Sequence, residues 1–244
     1  MTPRRLALLE EMGLTPVWRL RGTATPDEGG AAESAVAEAA GIETVERVAP
    51  PSAHPVAEMQ WDALRAAITG CQACALGRSR KQAVPGVGPS EADWMIVGEA
   101  PGAEEDARGE PFVGQAGLLL DQILAAIDLN RREHVYIANV LKCRPPGNRN
   151  PAPEEIEQCL PYLKRQIELV RPRLLIAMGR FAAQTLLNTD ASIASLRGKR
   201  HDYHGVPLIV TYHPAYLLRN LPDKAKAWED LCFARATMQA LQSA

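Results

Sequence analysis

Four short runs rich in apolar, β-favouring residues, at 94–97, 135–140, 174–178 and 206–212, constrain this chain more than anything else in it. A strand with one wet face alternates apolar and polar residues. These runs are nearly continuous, so each is expected to be covered on both sides. Helical patterns separate them, at about 115–129, 153–170 and 180–187, with a last helix from about 223 to the C-terminus. The helix at 153 opens with Pro153-Glu154-Glu155, a proline in the first turn followed by acids that suit the positive end of the helix dipole. Pro161 should kink or restart it. Strands and helices in alternation predict an α/β fold: a three-layer α/β/α domain around a central, mainly parallel four-stranded sheet. Ligands of such sheets bind beyond the carboxyl ends of the strands. The segments that follow the runs are GEAPGAEED, LKCRPPGNRNP, GRF and HPAYLLRN, and three of the four are crowded with glycine, proline and polar residues.

The regular pattern occupies residues 59–244, which are expected to form one folded domain. Ahead of it, residues 1–21 have apolar positions at 6, 8, 9, 12 and 14, then Val17, Trp18 and Leu20, consistent with a short helical and extended element. That element could dock on the core or on a protein partner. Residues 22–58 have the composition of a flexible, disordered linker. No stretch approaches the ~18 consecutive apolar residues of a membrane span, and the N-terminus lacks the features of a secretory signal. A cytoplasmic monomer with no membrane contact is expected.

The formal net charge of −2 hides an asymmetry. Residues 1–60 carry five arginines and nine acids, whereas the rest carries 22 basic and 20 acidic residues. The larger segment is therefore mildly basic, which permits a local phosphate-binding face without requiring one.

A cytoplasmic setting keeps the five cysteines out of disulfides. Cys71 and Cys74 form a C-x2-C pair, and Cys143 with Cys159 would bring the ligand number to four. Four thiolates suit either a tetrahedral zinc site or a cubane cluster. Spacing on its own favours zinc, because the second pair is not C-x2-C and fits no ferredoxin pattern; buried, unligated thiols are the plain alternative. Cys143 and Cys159 flank a proline-rich loop, which a metal would tether at both ends. Cys232, between Leu231 and Phe233, is expected to be buried.

Five motifs occur in order: Gly98-Glu99-Ala100-Pro101-Gly102, then Glu104-Glu105-Asp106, Pro111-Phe112-Val113-Gly114, Asn139-Val140-Leu141-Lys142-Cys143-Arg144-Pro145-Pro146, and His213-Pro214-Ala215-Tyr216-Leu217-Leu218-Arg219-Asn220. In this combination the chain closely resembles the family 4 uracil-DNA glycosylases, from about Cys71 to the C-terminus. The resemblance implies a 4Fe-4S cluster on Cys71, Cys74, Cys143 and Cys159, in place of zinc. It also implies uracil-containing DNA as substrate and hydrolysis of the N-glycosidic bond, leaving an abasic site for base excision repair. A non-catalytic, metal-stabilised DNA-binding module of the same fold is the competing reading.

A glycosylase must rotate its target base out of the stack and read it in a pocket. Asn139, at a strand end, carries an acceptor and a donor that match N3–H and O4 of uracil, whereas cytosine presents the reverse pattern. Phe112, in a glycine-flanked loop, is suited to stacking on the base. The resemblance assigns Glu105 to the space that the thymine methyl would need. His213 should donate to O2 of the departing uracil, and Glu99, with the main chain of Ala100, should lie against sugar and base, placing water or balancing charge. Ala100 stands where better-known enzymes of this chemistry carry an aspartate. Leu217 and Leu218 could supply an apolar wedge for the duplex. Arg144, Arg149, Arg197, Lys199, Arg200 and Arg219 fall in loops near the strand ends and could hold phosphates.

Overall fold

The computed structural model describes residues 55–243. The expected N-terminal element, with its possible partner, and residues 22–54 of the expected linker lie outside the described residues. The last four linker residues form a 3-10 turn, Pro55–Glu58, with Val56 buried. Val56 joins a small apolar cluster with Leu64, Ile68, Ala83 and Tyr162, so the packed part begins four residues before the composition changes.

The element order is α1 (Trp61–Gly70), α2 (Leu76–Ser79), β1 (Trp94–Gly98), α3 (Ala103–Arg108), α4 (Gln115–Ala125), β2 (Val135–Asn139), α5 (Pro153–Val170), β3 (Leu174–Met178), α6 (Arg180–Leu187), α7 (Ile193–Leu196), β4 (Arg200–Tyr203), β5 (Val206–Thr211), α8 (Pro214–Leu217) and α9 (Asp223–Gln242). The strands lie in the order β2-β1-β3-β5-β4. All neighbours are parallel except β4 and β5.

The sheet therefore has a fifth strand beyond the four expected. β4 reads as Arg-His-Asp-Tyr and is largely exposed, so it carries none of the apolar signal by which the others are recognised. It is joined to β5 by a two-residue turn in which His204 and Gly205 both have positive φ, the geometry that suits a tight hairpin. A charged, exposed edge also discourages pairing with another chain.

Alternate residues of the parallel strands face opposite ways. Met95, Val97, Tyr136, Ala138, Leu175 and Ala177 pack with Leu163 and Ile167 of α5 and Ala182 and Leu186 of α6. Trp94, Ile96, Ile137, Leu174 and Ile176 pack with Leu120 and Leu124 of α4 and Leu231 and Met238 of α9. Three layers follow from that alternation. α5 begins at Pro153 as expected and runs unbroken through Pro161. The carbonyl that this proline leaves without an N–H donor belongs to Glu157, an exposed residue, so the lost bond is not a buried one. Among the described residues no helix is long and apolar enough to cross a membrane.

Candidate active site

Parallel strands deliver their carboxyl ends to one edge of the sheet, and the register sets Gly98 of β1 directly beside Asn139 of β2. Just beyond that edge lies a cavity of about 860 Å³. It is lined by Glu99 and Ala100 after β1, Asn139 at the end of β2, Arg180 and Phe181 after β3, and Tyr212 and His213 after β5, with Glu105 from α3 and Phe112 from the loop that follows it. Every residue expected to touch uracil is thus in one cavity wall.

Asn139 is 2% exposed, and its Oδ1 has no hydrogen-bond partner among the described residues. A buried acceptor left unpaired is costly, about 1–3 kcal/mol, so this atom is poised for a donor from a ligand. Gly98 is what lets it sit there. A Cβ on Gly98 would stand 2.4 Å from Asn139 Oδ1 and 2.7 Å from the Phe112 ring.

Phe112 adopts φ 53, a left-handed conformation that a bulky residue rarely takes. Its surroundings impose that conformation from both sides. Arg131 donates through Nη2 to the Phe112 carbonyl at 2.9 Å and, through Nε, holds Asp121 at 2.6 Å. Glu105 Oε1 accepts from the N–H groups of Val113 and Gly114, while its Oε2 accepts from Gly102. The Glu105 carboxylate is therefore committed to three main-chain donors as well as lining the cavity.

His213 caps α8, and its Nδ1 accepts from the Ala215 N–H at 3.1 Å. With Nδ1 an acceptor, the neutral ring carries its proton on Nε2. Burial holds its pKa down to about 4, helped by Arg219 and opposed by Glu105, so the ring is neutral near pH 7. Burial raises the Glu99 carboxyl above the usual range, and Arg180 pulls it back.

The expected DNA contacts divide. Arg219 borders the cavity and is exposed, as is Lys199 outside it. Arg149 also borders the cavity, although its guanidinium is paired with Glu155 at 2.5 Å. Arg144 bonds Asn148 within the same loop, and Arg200 is exposed on β4. Arg197 does not fit the expectation of a phosphate ligand. Its Nε is bonded to buried Asp230 at 2.9 Å, its Nη2 to the Lys226 carbonyl, and it lies over the Tyr212 ring; the side chain is 15% exposed. Leu217 likewise is no wedge, being 1% exposed in a cluster with Tyr212 and Ala227, whereas Leu218 is 41% exposed. Two cavity residues that sequence reasoning missed are Arg180 and Phe181, with the guanidinium over the ring at 4.6 Å. Their signal was the GRF segment at a strand end.

The other constellation also converges. Cys71, Cys74, Cys143 and Cys159 line a second, smaller cavity against α1 and α5, together with Arg80, Lys142 and Tyr162. Arg80 donates to Cys143 Sγ at 2.8 Å, and the Lys142 N–H to Cys159 Sγ at 3.2 Å. Burial pushes the Cys159 thiol up to about 12 and raises that of Cys143. Among the described residues no three His, Cys, Asp or Glu side chains are arranged to hold a single metal ion. Cys232, expected to be buried, is exposed on α9, because only its neighbour Leu231 faces the sheet.

A mainly parallel, three-layer sheet with an amide, a phenyl ring and a neutral imidazole around one cavity at its carboxyl edge defines the class of this α/β/α protein. A family model described as the uracil DNA glycosylase superfamily matches residues 85–232. The chain is 49% identical over 159 residues to the type-4 uracil-DNA glycosylase of Archaeoglobus fulgidus, covering 62% of this chain and 79% of that one. It is 45% identical over 181 residues to those of Saccharolobus solfataricus and Pyrobaculum aerophilum, covering 71% of this chain and 82% and 92% of theirs. The chain belongs to the type-4 uracil-DNA glycosylases.

Proposed function

We propose that this chain excises uracil from DNA by hydrolysing the N-glycosidic bond, leaving an abasic site for base excision repair in the cytoplasm. The observation that carries this reading is the buried, unpartnered Oδ1 of Asn139 in the wall of a cavity that also holds Phe112 and a neutral His213. An acceptor there pairs with the N3–H of uracil, and the amide N–H with O4. Cytosine has no proton on N3, so it would leave Oδ1 buried and unpaired; sites built this way reject the wrong partner by about 10⁴-fold.

Phe112 stacks on the extruded base. As the glycosidic bond lengthens, negative charge gathers on uracil and positive charge on the sugar. The Nε2–H of His213 donates to O2 of the departing anion, and the Glu99 carboxylate balances the sugar and orients the attacking water. Arg219 and Arg180 border the cavity, form no ion pair among the described residues, and are suited to the flanking phosphates; Lys199 extends the basic surface. Leu218, rather than Leu217, supplies the apolar tip.

Cys71, Cys74, Cys143 and Cys159 would hold a 4Fe-4S cluster. The fit rests on four thiols around one cavity with the Arg80 guanidinium and a main-chain N–H directed at sulfur, donors that favour ligated thiolates. Four thiols border this one cavity, the ligand number that a cubane cluster requires. When bound, the cluster supplies a covalent tether for the loop that begins at Arg144. Incubation of the purified protein with a uracil-bearing oligonucleotide, followed by alkali and a gel, tests the reading. Strand scission at uracil together with free uracil is expected; DNA bound but left intact would favour the non-catalytic alternative.

A further inference from the structure

One buried charge is used by none of these steps. Lys142 is 1% exposed, and among the described residues it forms no ion pair. Burying an ammonium is expensive unless its protons are directed to acceptors. Lys142 Nζ donates to the Asn139 carbonyl at 2.6 Å and to Gln166 Oε1 at 2.6 Å. Gln166 is itself fixed, with Nε2 bonded to the Pro85 carbonyl at 2.5 Å and to Tyr136 Oη at 3.1 Å.

The geometry of β2 explains what this network could be for. β2 is an edge strand, so β1 holds Asn139 from one side only. On the outer side, Val87 bridges β2 at Ile137, two residues short of Asn139. Lys142 supplies the missing hold at the residue that has to be placed most accurately. Its own main chain is gripped through Val84 N–H, which donates to the Lys142 carbonyl at 2.8 Å, and through Cys159 Sγ, which accepts the Lys142 N–H. Its side chain lines the cysteine cavity, and the next residue is Cys143.

We propose that Lys142 is a positioning residue for uracil recognition, fixing the main chain of Asn139, and with it the aim of the Asn139 amide, from a seat anchored on the four-cysteine centre. The inference rests on the reading of Asn139 as the residue that recognises uracil. Lys142 touches no substrate. It acts through Asn139, and any disturbance at Cys143 or Cys159 reaches the base pocket by this route.

The test is Lys142→Met, which keeps length and removes the directed bonds, in the cluster-loaded protein. Binding of free uracil and of abasic-site DNA is measured at equilibrium, beside iron and sulfide content. Without that hold the Asn139 amide loses its aim and with it a hydrogen bond to the base, so uracil binding should fall by about tenfold. Abasic-site DNA, which leaves the base pocket empty, should bind within about twofold of native, and iron content should be unchanged. A merely structural role would weaken both ligands together or neither, and either result overturns the proposal. Should Lys142→Met fail to fold or to load, Gln166→Leu carries the test, because it removes the anchor of the ammonium without altering the segment that carries Cys143. Selective loss of uracil binding then supports the proposal, and native uracil binding overturns it. Asn139→Ala separates the two readings. If it loses uracil binding while the Lys142 and Gln166 variants do not, Lys142 alone is wrong; if it binds uracil normally, the recognition role of Asn139 fails and this inference with it.

Discussion

The imidazole of His213 lies against the phenyl ring of Phe112, with centroids 5.3 Å apart and planes 26° from parallel. The stack restrains the imidazole, while the Ala215 N–H fixes which nitrogen carries the proton. A neutral donor held this way costs no reorganisation when charge develops on the leaving base. Donors of that kind contribute roughly 3–4 kcal/mol to other reactions. His213→Ala should therefore slow single-turnover excision by about 10²- to 10³-fold while the far-ultraviolet circular dichroism stays native. Near-native excision would remove His213 from the mechanism.

The pH dependence should separate His213 from Glu99. A histidine whose pKa is held down to about 4 is neutral across the physiological range and titrates only below it. Glu99, raised by burial, takes a proton at a higher pH than an ordinary carboxylate, and with it loses the charge that faces the sugar. Excision is thus expected to fall on the acid side along the Glu99 titration. Arg180 lowers that pKa, so Arg180→Gln should move the acid limb to higher pH, read from kcat/KM profiles of the two proteins. Coincident limbs would mean that Glu99 is not the group titrating.

Gly98 has no side chain, yet it decides whether the pocket can form. A methyl group there would meet both Asn139 Oδ1 and the Phe112 ring well inside contact distance. Neither can retreat easily, since Phe112 is locked by Arg131 and Glu105 and Asn139 by the end of β2. Overpacking of this kind costs about 1–3 kcal/mol. Gly98→Ala should lower uracil excision about tenfold or more and raise KM, with a cooperative thermal transition retained. Kinetics like those of the native enzyme would show that the two side chains need not close over β1.

Much of this site is legible in the sequence, and the parts that are not share a physical cause. The four apolar strands announce themselves because both their faces are buried, and the rule that ligands gather beyond strand carboxyl ends places Glu99, Asn139 and His213 together. β4 escapes because an exposed edge strand need not be apolar. Leu217 and Leu218 are indistinguishable as letters; only the packing of α8 against α4 and Ala227 of α9 decides which is buried. Arg197 looks like any loop arginine until its partner, Asp230, arrives from a helix 33 residues away. Lys142 escapes because nothing in a lysine codon position says that its amine will turn back three residues to a carbonyl.

Glu105 offers a choice between two physical roles. As a steric block it would exclude the thymine methyl; as a clamp it gathers the N–H groups of Gly102, Val113 and Gly114 and so shapes the Phe112 loop. The geometry favours the clamp. Glu105→Ala should then raise KM and depress excision of uracil without bringing thymine excision into view, whereas a pure block would release thymine activity at little cost to uracil. Excision from U- and T-containing oligonucleotides under one set of conditions decides between them.

Replacement of a cysteine tests the second cavity in the same spirit. Cys143 Sγ accepts from Arg80 Nη1, and Arg80 in turn bonds the carbonyls of Thr69 and Cys71, so this one sulfur links the end of α1 to the loop leaving β2. That loop runs through Pro145, Asn148 and Arg149, which wall the cavity at the strand ends. Serine at 143 is a poor cluster ligand and a smaller acceptor, so Cys143→Ser should lose iron, melt at a lower temperature and bind DNA more weakly, all three together. The order of failure carries the information. If the cluster tethers the loop, DNA affinity falls in proportion to iron content across partially loaded samples; if Cys143 were only a buried thiol, affinity would be indifferent to iron, and the four-cysteine cavity would need another explanation.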